Sequence, residues 1–197
     1  MTGTLTAEIA AAAARLIVEE GLEYGAAKRR AARELRVGRR SVEWPDNGAV
    51  EDEVRSYLDL FHADSQPAEL AALRAIAASW MERLAAFRPH LCGAVWRGTA
   101  TRRSSVHIDL YCDDSKAAEL ALIDGRVDYE VSSAQGPRGR MLDVLNVFVR
   151  SAELGGVVHV ALAVLDYDDL RGALRGDARG RTQRGDLAAL RALQGAT

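Results

Sequence analysis

The sequence predicts an α/β (α+β) protein: a helical N-terminal part, then a mixed sheet of about five strands with flanking helices. Three observations predict it. Apolar residues recur at helical spacing through the first third of the chain and again from Pro67 to Leu84. The period then shortens to two over Ser105 to Cys112. Short Val-rich runs separated by Gly- and Asp-bearing turns follow.

The elements follow in order. Residues Thr6 to Glu20 read as a helix with Thr6 as its cap, Ile9, Ala13, Leu16 and Ile17 on one face, and Gly21 as its stop. Tyr24 to Leu35 reads as a second helix, basic on one side through Lys28, Arg29, Arg30 and Arg33. Trp44 to Gly48 (WPDNG) reads as a turn, because Pro45 biases Trp44 away from helix and Asn-Gly favours positive φ. Helices are expected from about Val50 to His62 and from Pro67 through Leu70, Leu73, Ile76, Trp80 and Leu84.

His90 to Trp96 is a short apolar run closed by an Arg-Gly-Thr turn. Along Ser105 to Cys112, Val106, Ile108, Leu110 and Cys112 face one way and Ser105, His107, Asp109 and Tyr111 the other. Asp113-Asp114-Ser115 reads as the N-terminus of a helix over Ala117 to Ile123. Val127 to Val131, Val144 to Val149 and Val157 to Leu165 are the remaining strand candidates, with Ala134 to Arg140 as a loop. Asp168 to Leu174 and Leu187 to Leu193 read as helices on either side of an irregular Arg/Gly stretch. The expected division is a helical domain over 1–64 and an α/β domain over 65–197.

Composition narrows the function classes. A hydrophobic share of 48% and a formal net charge of -2 describe an ordinary globular chain. There is no global basic field to hold nucleic acid. Cys92 and Cys112 form no CxxC pair, and no Cys/His cluster has zinc spacing. The longest apolar run, Val157 to Leu165, is far shorter than the roughly 20 residues that span a bilayer. The N-terminus carries no basic region before its Ala-rich stretch, so a cytoplasmic location and no membrane partner are expected.

The chemistry concentrates in Cys92 to Asp114, CGAVWRGTATRRSSVHIDLYCDD. A glycine at a turn lets backbone N–H groups approach a phosphate, and a neighbouring hydroxyl joins them. Acidic side chains on the following strand hold a divalent metal that bridges phosphate oxygens. This run resembles the signature of the nucleotidyltransferase superfamily that includes DNA polymerase beta and the heads of poly(A) polymerase and the CCA-adding enzyme. The resemblance covers about residues 66 to 175. Gly98-Thr99 matches the phosphate-binding turn, and Gly93-Ala94-Val95 with Arg97 echoes the poly(A)-type variant of it.

The resemblance implies a sheet with a nucleotide site. Gly98, Thr99, Arg97, Arg102 and Arg103 bind phosphate, and Asp109 with His107 is the catalytic pair holding Mn²⁺ or Mg²⁺. The departures imply erosion. His107-Ile108-Asp109 stands where an Asp-x-Asp pair is expected, and a one-pleat shift would place Ser105-Val106-His107 there instead. No acidic residue lies within Val157 to Val164, where the family has its third carboxylate; His159 is the polar side chain there. The expected function is therefore nucleotide binding with weak or absent metal-dependent transfer. A non-enzymatic regulatory or protein-interaction module on the same scaffold is the alternative.

Two further patterns bear on function. Ala31 to Val42 resembles the second half of a helix-turn-helix, but Trp44-Pro45 truncates the recognition helix and makes DNA the weaker partner. Short bacterial chains of this pattern resemble ones called UDP-N-acetylmuramate–alanine ligase. That chemistry needs ATP on a Gly-rich loop ending in Lys-Thr or Lys-Ser, and no GxxxxGK[ST] occurs. The stretch containing Arg171, Arg175, Arg179, Arg181 and Arg184 is a candidate flap over a phosphate-bearing ligand.

Overall fold

A computed structural model describes residues 2–37, 43–177 and 180–195. The chain divides into two compact units, Met1–Pro67 and Ala68–Thr197.

Among the described residues, the first unit holds three helices, α1 (Thr2–Glu20), α2 (Tyr24–Glu34) and α3 (Asn47–Phe61). Ile9, Ala13 and Leu16 of α1, Ala27 and Ala31 of α2, and Val50, Val54 and Leu58 of α3 form one apolar core. The spacing of four in α3 puts its contributors on one stripe, and the small side chains of α2 let that helix approach closely. Two boundary expectations change. Thr6 lies inside α1, not at its cap, and its hydroxyl donates to the Glu43 carbonyl at 2.8 Å. Asn47 and Gly48 form the first turn of α3, because the Asp46 carboxylate accepts the Ala49 amide at 2.6 Å and starts the helix there. The α2 helix stops at Glu34, and of the helix-turn-helix-like segment 31–42, residues 38–42 lie outside the described residues.

The second unit is built on a six-stranded mixed sheet. Its elements are α4 (Gln66–Arg83), β1 (His90–Cys92), α5 (Gly93–Arg97), β2 (Val106–Cys112), α6 (Ser115–Asp124), β3 (Glu130–Gln135), β4 (Met141–Ser151), β5 (Gly156–Asp166), β6 (Arg184–Gly185) and α7 (Leu187–Gly195). The strand order is β3-β4-β5-β2-β1-β6, with β2 and β5 parallel and the other pairs antiparallel.

One sheet face is the core. Leu91, Val106, Ile108, Leu110, Val160 and Leu162 pack with Leu73, Ala77 and Met81 of α4, Leu122 of α6 and Leu190 of α7. Each such side chain removed from water contributes about 1.5–3 kcal/mol, so this face fixes the register of β2. Asp114 starts α6 by accepting the Lys116 amide at 2.9 Å, as its sequence context predicts.

The structure departs from expectation in four places. His90 to Trp96 is a three-residue strand followed by a five-residue helix, so the Gly-Thr turn follows a helix rather than a strand. β3 begins at Glu130, while Val127 and Tyr129 pack against the core ahead of it. Of the expected helix Asp168 to Leu174, only Tyr167–Leu170 coils, as a 3-10 turn. The Arg/Gly stretch supplies a sixth strand, β6, which pairs with β1.

Candidate functional site

The other sheet face carries the polar residues, and the strand registers arrange them in rows. One row runs Arg184, Cys92, His107, Ala161, Asn146 and Glu130 across β6, β1, β2, β5, β4 and β3. The next runs His90, Asp109, Ala163, Val144 and Ser132. Opposite charges and hydrogen-bonding groups in adjacent rows are within reach of one another.

Asp109 is the centre of the charged group. It is 9% exposed, so it is not the solvated half of an amphipathic strand. The Arg184 guanidinium hydrogen-bonds its Oδ2 and also donates to the Tyr111 hydroxyl at 2.7 Å. The Cys92 thiol points at Asp109 Oδ1 at 3.7 Å, and the His90 ring stands edge-on to Tyr111 with centroids 5.3 Å apart.

Burial pushes the Asp109 carboxyl upward, while Arg184, Cys92, His107 and His90 oppose that shift. Burial works against the Arg184 charge too, but Asp109 and Tyr111 outweigh it and hold that guanidinium above its ordinary value. Burial, then the Asp109 charge, raises the Tyr111 hydroxyl to about 12. The same two causes, in that order, raise the Cys92 thiol, which makes it a poor nucleophile at neutral pH.

This donor set does not fit the divalent metal that the sequence resemblance implies. Mg²⁺ takes several hard oxygen ligands in octahedral geometry. Here the carboxylate is already bound by a guanidinium, its row neighbours are a histidine and an alanine, and the thiol of Cys92 points at it from the next row. Ala161 and Ala163 occupy the β5 positions opposite His107 and Asp109, so that strand supplies no oxygen ligand from a side chain beside them. Among the described residues, no three His, Cys, Asp or Glu side chains are grouped to hold a metal ion.

The glycine turn is also placed differently. Gly98 (φ 78°) is the stop of α5, and the amides of Gly98 and Thr99 both bond the Ala94 carbonyl. A side chain on Gly98 would meet Leu70 and Arg74 of α4, and Thr99 is 3% exposed. These two residues therefore close the helix, and their amides are spent in doing so. Gly93 lies at the site itself. It has φ 72°, and a Cβ there would sit 3.4 Å from Cδ2 of His107. Arg97 is half-buried and close enough to Cys92 to act on its thiol. Arg102 and Arg103 are exposed, on a turn anchored by the Arg102 amide to Glu69 at 2.8 Å.

A second polar group lies beyond the His107 row. Ser105 Oγ is 3.0 Å from Nδ1 of His159, and Nε2 of that ring is 2.8 Å from Oδ1 of Asn146. Phe148 stacks on the same ring at 5.3 Å. In the sequence His159 stands out as a polar side chain in an apolar strand, but nothing there joins it to Asn146, since strand pairing alone brings them together.

A cavity of about 330 Å³ opens elsewhere, at the C-terminal ends of β2 and β5, lined by Cys112, Asp113, Arg140, Asp143, Asp166 and Asp169 among others. No expected site residue lines it. Of the Arg-rich flap candidates, Arg184 turns inward to Asp109 and Arg181 pairs with Asp177 at 3.3 Å, while Arg179 lies outside the described residues. No helix among the described residues is long and apolar enough to cross a membrane.

No protein-family model and no curated protein matches the sequence. Two solved structures of Cid1 are similar to part of the chain. One, in complex with the UTP analogue UMPNPP, has 15% identity and a TM-score of 0.35 over 49% of this chain and 30% of its own. The other, in complex with its short product ApU, has 16% identity and a TM-score of 0.36 over 52% of this chain and 32% of its own. At this level the likeness bears on no residue of the site.

Proposed function

We propose that the chain is a degenerate nucleotidyltransferase-like protein that binds a nucleotide with weak or absent metal-dependent transfer. The observation that carries this reading is the pairing of Asp109 with Arg184. On the resembled signature, Asp109 is a metal carboxylate. Here its charge is met by a cation of the same chain, and replacing that cation by a metal would leave a half-buried guanidinium without its counter-charge. His107 and Asp109 then orient a ligand rather than hold a metal.

The phosphate chemistry falls to Arg97, Arg102 and Arg103, whose planar forks bind phosphate oxygens. In this reading Gly98 and Thr99 set the path of the chain between those arginines, and Gly93 keeps the surface beside His107 open. The alternative, a protein-interaction module without catalysis, draws on the fully exposed edge strand β3 and on Met141 and Phe148, also exposed on β4.

The test is a thermal-shift screen against the four NTPs with EDTA, Mg²⁺ or Mn²⁺. A ligand at 100 times its Kd stabilises by about 2.7 kcal/mol. The expected result is a shift that persists in EDTA and falls in an Arg97→Ala/Arg103→Ala double variant. A shift that requires metal and disappears in Asp109→Asn would overturn the degenerate reading. No shift with any nucleotide would turn the assignment to the interaction module.

A further inference from the structure

We propose that Ser105 is a nucleophile activated by His159 and held in register by Asn146, and that this end of the sheet accepts the acyl group of an apolar carboxylic ester. The chain Ser105–His159–Asn146 crosses from the residue before β2 to β5 and β4. It is separate from the Asp109 group and carries no formal charge.

The orientation of Asn146 determines the proton positions. Its Nδ2 lies 3.1 Å from the carbonyls of Glu130 and Val144 and 2.8 Å from the Ser132 hydroxyl. Backbone carbonyls only accept, so this end of the amide must be the NH₂ group and the end facing His159 must be the oxygen. Oδ1 accepts, so Nε2 of His159 carries the proton. In the neutral ring Nδ1 then presents a lone pair, and the Ser105 hydroxyl 3.0 Å away donates to it. A hydroxyl donating to a base whose far nitrogen is fixed by a third group is the arrangement that activates a serine.

The surroundings indicate the substrate class. Phe148, stacked on the His159 ring, is 55% exposed, and Val157, two residues before His159 on β5, is 59% exposed. Large apolar side chains left open beside a polarised hydroxyl suit an uncharged, apolar acyl or alkyl group. In the reaction Ser105 Oγ forms a bond to the ester carbonyl carbon while its proton passes to His159 Nδ1. The bond from that carbon to the alcohol oxygen breaks, and the alcohol leaves with the proton from His159. Water then hydrolyses the acyl-serine with the same ring as base, which restores Ser105 and releases the carboxylic acid.

The full chain is incubated with p-nitrophenyl butyrate to follow nitrophenol release, and separately with an alkyl fluorophosphonate followed by peptide mass mapping. The fluorophosphonate reports the same nucleophile, since its P–F bond breaks as the Ser105 O–P bond forms. The expected result is turnover and a single adduct on Ser105, both lost in Ser105→Ala. His159→Gln should lower the rate roughly 100-fold or more. Asn146→Ala should lower the maximal rate at an unchanged half-saturating ester concentration, which a residue acting only on stability would not do. Phe148→Asp should raise the half-saturating concentration for the butyrate more than for the acetate; equal effects would overturn the apolar substrate class. Failure of the wild-type protein to carry an adduct at Ser105 would overturn the proposal whatever the variants do, as would a natively melting Ser105→Ala that keeps its turnover.

Discussion

The Asp109 group and the Ser105–His159–Asn146 chain share one sheet face and one strand neighbourhood, yet they spend their polar atoms differently. Asp109 is buried, charged and met by Arg184, Cys92 and the nearby histidines. Ser105, His159 and Asn146 are half-buried, and their hydrogen bonds run in one direction, from the Ser105 hydroxyl through the His159 ring to the Asn146 oxygen. An ion pair closed on itself has little left to offer a metal ion. A neutral chain ending in a hydroxyl keeps one reactive atom at its end. The strand position that the sequence marks for chemistry is thus the quiet one, and the position two residues before His107 is the poised one.

The largest test of this contrast breaks the ion pair. Asp109→Ala should cost about 3 kcal/mol, since it strands the Arg184 charge with its side chain only 25% exposed. Asp109→Asn keeps an acceptor for Arg184 and should cost about 1 kcal/mol. The double variant Asp109→Ala/Arg184→Met should recover much of the loss, giving a coupling energy that the single changes cannot show. Urea midpoints at unchanged slope measure all three. Full additivity would mean that the two side chains do not depend on each other.

A somewhat smaller effect comes from Tyr111, in the same group. Its hydroxyl is raised from an ordinary value of 10.0 to about 12 in the folded protein. The unfolded chain therefore loses this proton first, so the contribution is full below pH 10, declines as pH rises, and is gone above 12. On the order of 2 kcal/mol of stability should disappear across that window. Tyr111→Phe should be less stable at neutral pH, having lost the bond to Arg184, but should decline less between the two values. An identical alkaline slope in both proteins would show that the hydroxyl is not shielded.

Gly93 tests how close the two groups can be brought. At φ 72° any other residue is strained, and a methyl group would come into contact with the His107 ring, 3.4 Å from its Cδ2. Gly93→Ala should cost about 1–2 kcal/mol from the backbone alone. It should narrow the surface beside His107 without touching Ser105, so nucleotide-induced shifts would change while ester turnover would not. Melting midpoints and the two ligand assays, run side by side, separate these effects.

How far these groups were legible depended on how local their causes are. β2 was read correctly because alternation is a property of consecutive residues, and the pleat that buries Ile108 and Leu110 necessarily puts His107 and Asp109 together on the reverse face. Asp114 was read as a helix start because capping acts within three residues. The α5 helix was missed because five residues leave no period to detect, and Gly98 gives the same signature whether it stops a helix or binds an anion. Arg184 is legible only as one arginine of a candidate flap, and its pairing with Asp109 is hidden for a different reason. Its strand has two residues and exists through pairing with β1, across more than ninety positions of sequence. No local pattern says which distant cation will reach a carboxylate.

The smallest effect bears most directly on the contrast. Ser105→Ala removes one half-buried hydroxyl that donates to His159, and it leaves the Asn146 bond to the other ring nitrogen in place. The stability cost should be about 0.5–1 kcal/mol, the net worth of an ordinary hydrogen bond. If this chain merely ties β2 to β5, that small loss is the whole consequence. If it activates a serine, the same substitution abolishes ester turnover while the melting temperature falls by only a few degrees. Asp109→Ala should give the reverse pattern, a large loss of stability with turnover retained wherever the protein remains folded. The two substitutions, compared in one melting and turnover experiment, therefore separate a residue that holds the sheet together from one that acts at its surface.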